Sequence, residues 1–275
     1  MSTVRAIALR LHADYLQAER LDEFEALLRH ALERGYKTMT LSTFAEIEAL
    51  RAPDAAGRIL LLRHDVDTDV ARARRMSRIE QRLGVVGSYF FRRSTWDVGF
   101  MHDLAAAGFE VGYHYEELAD VVKERGAATA KQARTLIGAA RERLRENLAR
   151  LRAASGMPLD VLAAHGDFAN RVVGVSNVEL LADAEFRTRI GVRLEAYDLE
   201  VHVSARSSDG IPPVPWVPED PIHAIRRGEH VIEVLVHPRS WGGAPVANAL
   251  ADLVRLREAC VYGLRVRRRR RRRRG

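Results

Sequence analysis

Two hydrophobic periods alternate along the chain. Leu21, Phe24, Leu27, Leu28, Ala31 and Leu32 recur at helical spacing, and Gly35 ends the run, which predicts an amphipathic helix over 21–34. Residues 42–46, Ser-Thr-Phe-Ala-Glu, resemble a capping box at the start of a second short helix. The unbroken apolar run 59–62 predicts a buried strand, and it leads directly into Arg63-His64-Asp65-Val66-Asp67. Helical spacing follows over 70–83, closed by Gly84, then a strand over 85–91. A helix over 101–107, stopped by Gly108, precedes a strand over 109–113. Residues 128–154 predict one long helix, with Leu136, Ile137, Ala140, Leu144, Leu148 and Leu151 along one side. Strands over 159–164 and 231–236 end at His165 and His237, and the Pro-, Gly- and Ser-rich stretch 204–221 reads as a long loop.

Strands that alternate with helices predict an α/β fold with a mostly parallel sheet or barrel. Four predicted strands end in residues able to do chemistry: Asp65 and Asp67, His114, His165, and His237. In such folds the ligand site lies at the carboxyl ends of the strands. Asp65 and Asp67 are two apart, so an extended strand puts both carboxylates on one face, about 6 to 7 Å apart along the backbone. A divalent metal relieves their repulsion: one carboxylate ligates it while the other serves as base toward bound water. His114, His165 and His237 offer imidazole. Against this, an Asp-x-Asp at a strand end is often a helix cap, here Asp67 or Asp69. His64 falls on the opposite face and is expected to pack there.

Composition narrows the class. With 47% hydrophobic and 29% charged residues the chain is globular, and 275 residues suffice for one large domain. The single cysteine, Cys260, fits a reducing compartment, and the charged N-terminal segment has no signal-like apolar core, so a cytoplasmic location is expected. The formal charge of +7 comes from the C-terminus, where Arg265 and Arg267 to Arg274 supply nine arginines. The rest of the chain is close to neutral, which argues against a specific nucleic-acid partner. The tail, expected to be disordered over 265–275, would bind polyanions only non-specifically. No stretch is apolar enough to span a bilayer.

Four segments together resemble the polysaccharide-deacetylase (NodB-homology) superfamily, in a branch found among surface-polysaccharide biosynthesis proteins. They are Arg63-His-Asp-Val-Asp67, Gly87-Ser-Tyr-Phe-Phe91, Gly108-Phe-Glu-Val-Gly-Tyr-His-Tyr-Glu116 and Leu235-Val-His-Pro-Arg-Ser-Trp241, in the family's order within residues 20–245. The resemblance implies a distorted (β/α) barrel of about seven strands, a single domain over 1–264, and hydrolysis of an N-acetyl group on an amino sugar. It implies Asp65 as general base, Asp67 as metal ligand and His237 as general acid. The family's His-x-x-x-His begins here at His114, but its second position is Leu118. Glu116, Glu117 and His165 are the replacement ligands, with His165 favoured. The implied metal is zinc, with cobalt, nickel or manganese as alternatives. Arg63, Glu116, Asp209, Trp216 and Trp241 are implied at the substrate. Asp209, with Asp198 as competitor, is also placed to tune the catalytic histidine. A backbone N–H from a loop near 89–91 is implied to hold the oxyanion. The alternative is a carbohydrate-binding protein of the same fold without catalysis; a related hydrolase acting on an ester or formamide is also compatible.

Overall fold

The computed structural model describes residues 3–49, 57–210 and 216–271. The fold is mixed α/β, as the alternation predicts. Its strands are β1 (Lys37–Met39), β2 (Ile59–Val66), β3 (Ser88–Phe91), β4 (Glu110–Tyr115), β5 (Val161–Ala164), β6 (Leu194–Glu195), β7 (Ala205–Asp209), β8 (Trp216–Val217) and β9 (Val231–Val236). The chain divides into two compact units, Met1–Gly112 with Asp198–Asn248, and Tyr113–Tyr197 with Ala249–Gly275. The sequence reading expected a single domain.

In the first unit β2 is the central strand. One edge pairs in parallel with β9, Ile59 opposite Val231 through His64 opposite Val236. The other edge takes β1 along its first half and β3 along its second. Strand β7 extends the ladder beyond β9 in parallel, and β8 closes it antiparallel. All eight residues of β2 are buried, as expected for a parallel strand covered on both faces. Alternate residues Leu60, Leu62, Ile232, Val234 and Val236 join one apolar core with Phe24, Leu27 and Leu28 of helix Leu21–Glu33, Met76 and Ile79 of helix Val70–Leu83, and Ile225 of helix Pro221–Arg227. His64 belongs to this face. It stacks on Tyr89 at 4.0 Å, and its Nε2 lies 2.6 Å from Glu80, whose other oxygen accepts from the Tyr89 hydroxyl at 2.7 Å. The opposite face of the same strands is thereby left to Arg63, Asp65, Glu233 and Leu235.

The second unit pairs β4, β5 and β6 in parallel, Tyr113 opposite Leu162 and Val161 opposite Leu194. The predicted helix over 128–154 is two helices, Ala130–Arg134 and Ile137–Ser155. Between them Thr135 turns its hydroxyl onto the Gln132 carbonyl at 2.8 Å, which competes with the helical ladder.

Three other expectations change. The cap of helix Leu41–Ala49 is Thr40, whose Oγ1 accepts from the Thr43 N–H at 3.2 Å. Ser42 binds Glu110 instead. The expected loop over 204–221 contains β7 and β8; β7 carries no apolar run, and its buried residue is Ser207. Residues 211–215 of that stretch lie outside the described residues. Finally, the arginine run is not disordered through 271, because helix Pro245–Arg271 includes it. Arginine is a good helix former. Arg265 and Arg269 also donate to the Lys123 and Arg125 carbonyls at 3.2 and 3.0 Å, at the C-terminal end of helix Glu117–Arg125, where cations are favoured. Among the described residues no helix is long and apolar enough to cross a membrane.

The β2–β3 register depends on Gly87. A Cβ there would stand 2.6 Å from the Leu62 carbonyl oxygen. Gly87→Ala is therefore expected to cost about 1–3 kcal/mol in urea unfolding, because backbone must shift to admit it. An unchanged midpoint would show that β3 is loosely held.

Candidate active site

The face of β2 and β9 opposite the core is polar and closed. Arg63 is fully buried, and its guanidinium binds Asp65 bidentately, Nε to Oδ1 at 2.9 Å and Nη2 to Oδ2 at 2.8 Å. Residues i and i+2 share a strand face, which brings the two groups together. Arg63 also lies 3.9 Å from Glu233 of β9, which Arg206 of β7 meets at 3.1 Å. Burial pushes the Glu233 carboxyl above its ordinary range, against the opposing charges of Arg63 and Arg206. Arg63 was expected at the substrate. It is enclosed instead, and its donors are directed to Asp65 and Glu233, so it acts by fixing Asp65.

One position past β9, His237 follows Val236, the cross-strand partner of His64. Its Nδ1 lies 2.6 Å from Asp209 Oδ1, and its backbone N–H donates to Asp209 Oδ2 at 2.7 Å. The same oxygen accepts from Trp241 Nε1 at 3.0 Å. Asp209, not Asp198, is therefore the acid on the histidine. Its oxygens serve His237 and Trp241 rather than standing open to a substrate. Burial works against charging the imidazole. The Asp209 charge and hydrogen bond, with Asp67 and Asp65 behind them, prevail and raise His237 from 6.5 to about 9. With Nδ1 held by a carboxylate, Nε2 is the ring nitrogen available for proton transfer.

The loop after His237 is held by a residue that the sequence reading passed over. Arg72 is buried in helix Val70–Leu83 and donates to the carbonyls of Pro238 (3.2 Å), Gly242 (3.0 Å) and Gly243 (3.2 Å). Its only sequence signal is an arginine on the apolar side of a helix. Asp69 caps that helix by accepting from the Arg72 N–H at 3.0 Å, so Asp67 is not needed as the cap. Trp241 is buried and Trp216 half-buried, with ring centroids 5.9 Å apart. Both line a cavity of about 270 Å³ with Asp209, Arg20, Leu27 and Asp220. Residues 89–91, expected in a loop that holds the oxyanion, are part of β3, in register with His64 to Val66.

In the second unit, His114 of β4 and His165 after β5 come together, ring centroids 5.1 Å apart and nearly perpendicular. His114 Nδ1 faces the Ala163 carbonyl at 2.9 Å; a carbonyl only accepts, so Nδ1 carries the hydrogen, and in the neutral ring Nε2 is the ligand atom. His165 Nδ1 lies 3.3 Å from Glu116. Ligand atoms of Glu116, His165 and Asp167 all fall within 4.8 Å of one another. Imidazoles with adjacent carboxylates suit a zinc-like divalent ion. Of the replacement ligands, Glu117 is committed elsewhere: it accepts from the Tyr113 hydroxyl, from Asn147 at 2.9 Å and from the Glu116 N–H at 3.0 Å. Leu118 is buried in helix Glu117–Arg125.

No protein-family model matches the chain, and no curated protein matches it in sequence. Solved structures similar to it include wild-type BA3943, a CE4 family pseudoenzyme from Bacillus anthracis, at TM-score 0.38 and 14% identity, covering 72% of this chain and 59% of that one. A BA3943 mutant with restored enzymatic activity matches at TM-score 0.38 and 14% identity, covering 72% and 61%. The chain thus spans less than two thirds of the length of these pseudoenzyme chains. The peptidoglycan deacetylase PdaC from Bacillus subtilis matches at TM-score 0.38 and 14% identity, covering 79% of this chain and 97% of that one.

Two outcomes are expected. Asp209→Asn should lower the His237 pKa, followed by NMR of the imidazole, from about 9 toward the ordinary 6.5. A raised folded-state pKa stabilises the fold fully below 6.5, and the contribution is lost as pH rises through 9; the variant should lose that dependence. Arg63→Ala should destabilise by about 3–5 kcal/mol in denaturant unfolding, because it strands buried Asp65.

Proposed function

We propose that the protein is a metal-dependent hydrolase of the polysaccharide-deacetylase superfamily, acting on the N-acetyl group of an amino sugar. The observation that carries the reading is the His237–Asp209 pair, a histidine held protonated at neutral pH one position beyond the end of β9, with Asp65 fixed by Arg63 on the adjacent strand. An acid and a base on neighbouring strand ends are what amide hydrolysis requires.

The reading assigns a divalent ion, zinc first, to Asp67, His114 and His165. When bound, such an ion supplies Lewis-acid polarisation of the amide carbonyl and activates water. The chain's own groups do the rest. Asp65 accepts the proton of the attacking water. His237 donates its Nε2 proton to the sugar nitrogen as the C–N bond breaks, so acetate and a free amine leave. Asp209 holds the ring in the orientation and charge state for that transfer. Trp216 and Trp241 offer apolar faces beside it, suited to a sugar ring. Each proton transfer contributes on the order of 10²- to 10⁴-fold.

A second reading, sugar binding without turnover, is favoured by two observations. Leu118 stands buried where the resemblance calls for a second histidine, and both Asp65 oxygens already bind Arg63.

Elemental analysis of the whole chain separates them. The hydrolase reading expects about one divalent ion per chain, lost in Asp67→Ala and in His114→Ala, and acetate release from N-acetylated oligosaccharides. His237→Ala should lower that release on the order of 10²- to 10⁴-fold with metal retained. No metal after incubation with zinc, cobalt, nickel or manganese, together with glycan binding that survives, would sink the hydrolase reading in favour of the second.

A further inference from the structure

Helix Pro245–Arg271 is docked by its polar side. Glu258 meets Lys123 at 2.8 Å, the Tyr262 hydroxyl donates to the Ala127 carbonyl at 2.5 Å, and Arg265 and Arg269 donate to carbonyls of helix Glu117–Arg125 and its end. The contact is close: a Cβ on Gly126, whose φ is +60°, would stand 2.9 Å from the Arg265 backbone. Tyr262 is buried, and the carboxylates around the buried Lys123 hold its ammonium charged against the cost of burial.

The side turned outward carries large apolar residues, with the exposed Arg257 among them. Leu250 is 61% exposed, Leu253 63%, Leu256 62% and Leu264 55%. With Cys260, also exposed, they recur every three or four residues on one face, a stripe about 20 Å long. This reverses the usual arrangement, in which a helix turns its apolar stripe to the core. The stripe runs straight into the arginines, nine of them between 265 and 274.

We propose that this face seats on an anionic bilayer surface, with the leucines at the level of the acyl chains and the exposed Arg257, Arg267 and Arg268 against the headgroups. Charge selects this occupant. A second copy laid alongside in parallel would bring a second set of exposed arginines, Arg257, Arg267 and Arg268, to the interface, whereas an anionic surface neutralises each arginine near it. A nucleic acid would satisfy the arginines but leave the leucines in water. A helix with an apolar face, a basic flank and no span-length apolar run lies in the interface rather than crossing it. The inference is independent of the hydrolase reading.

Cys260, the sole cysteine, lies on the stripe and carries an environment-sensitive dye for the test. The labelled whole chain is floated with phosphatidylcholine vesicles, with and without phosphatidylglycerol, at about 0.1 M salt. The expected result is flotation and a blue shift with the anionic vesicles alone. Leu253→Gln with Leu256→Gln should weaken flotation about tenfold or more, with the melting temperature unchanged because both side chains lie outside the core. Flotation without a blue shift and indifferent to the leucine changes would mean that the arginines act alone and would overturn the proposal. So would absence of flotation with either vesicle. A dimer in light scattering that the leucine changes abolish, without flotation, would assign the face to a second copy.

Discussion

Arg63 carries a full charge into a place that water does not reach, and the face of the sheet around it is arranged to answer that charge. The guanidinium is planar and cannot shed its proton, so its partners must be fixed and negative. Asp65 meets it edge to edge from two positions along the same strand, and Glu233 approaches from the neighbouring strand. A buried pair of this kind adds little net stability. It does fix the orientation of Asp65. The alternation that aims Arg63 and Asp65 at one face aims Leu60, Leu62 and His64 at the other, so the core and the candidate site are two sides of a single strand.

The His237 end of the sheet uses the same device with different groups. Asp209 spends one oxygen on the ring and the other on the backbone of His237 and the indole of Trp241, which ties the imidazole, the strand end and the indole together. Arg72 secures the following turn through three carbonyls. These are hydrogen bonds from a charged group to a loop, stronger than neutral ones, and they add to the packing of Pro238 and Trp241 in holding the segment.

In the second unit the histidine pair depends on backbone placement. β4 and β5 run in parallel register, so their ends bring His114 and His165 side by side. The Ala163 carbonyl sets the tautomer of His114. The nearby Glu117, though acidic and buried, is consumed in holding Tyr113, Asn147 and the local backbone. Of two adjacent glutamates, one stands by a histidine and the other stabilises the fold; only their surroundings distinguish them.

The sequence by itself determined the α/β alternation, because helical and strand periods are local and each is written within a dozen residues. It also placed Asp65, Asp67, His114, His165 and His237 at strand ends, since an apolar run that ends in charge marks the point where a buried strand emerges. Tertiary structure alone decided how those residues are used. Asp209 rather than Asp198 serves His237 across 28 positions, and Arg72 reaches carbonyls 166 and more positions away. Asp69 takes the helix cap and spares Asp67, and Arg63 turns inward rather than toward a substrate. The polar strand β7 and the helical arginine run were likewise invisible, because each owes its conformation to a neighbour: β7 to the ladder of β9, and the arginines to the carbonyls of helix Glu117–Arg125. Period reports what a segment does alone, whereas these choices depend on pairings between segments far apart in the chain.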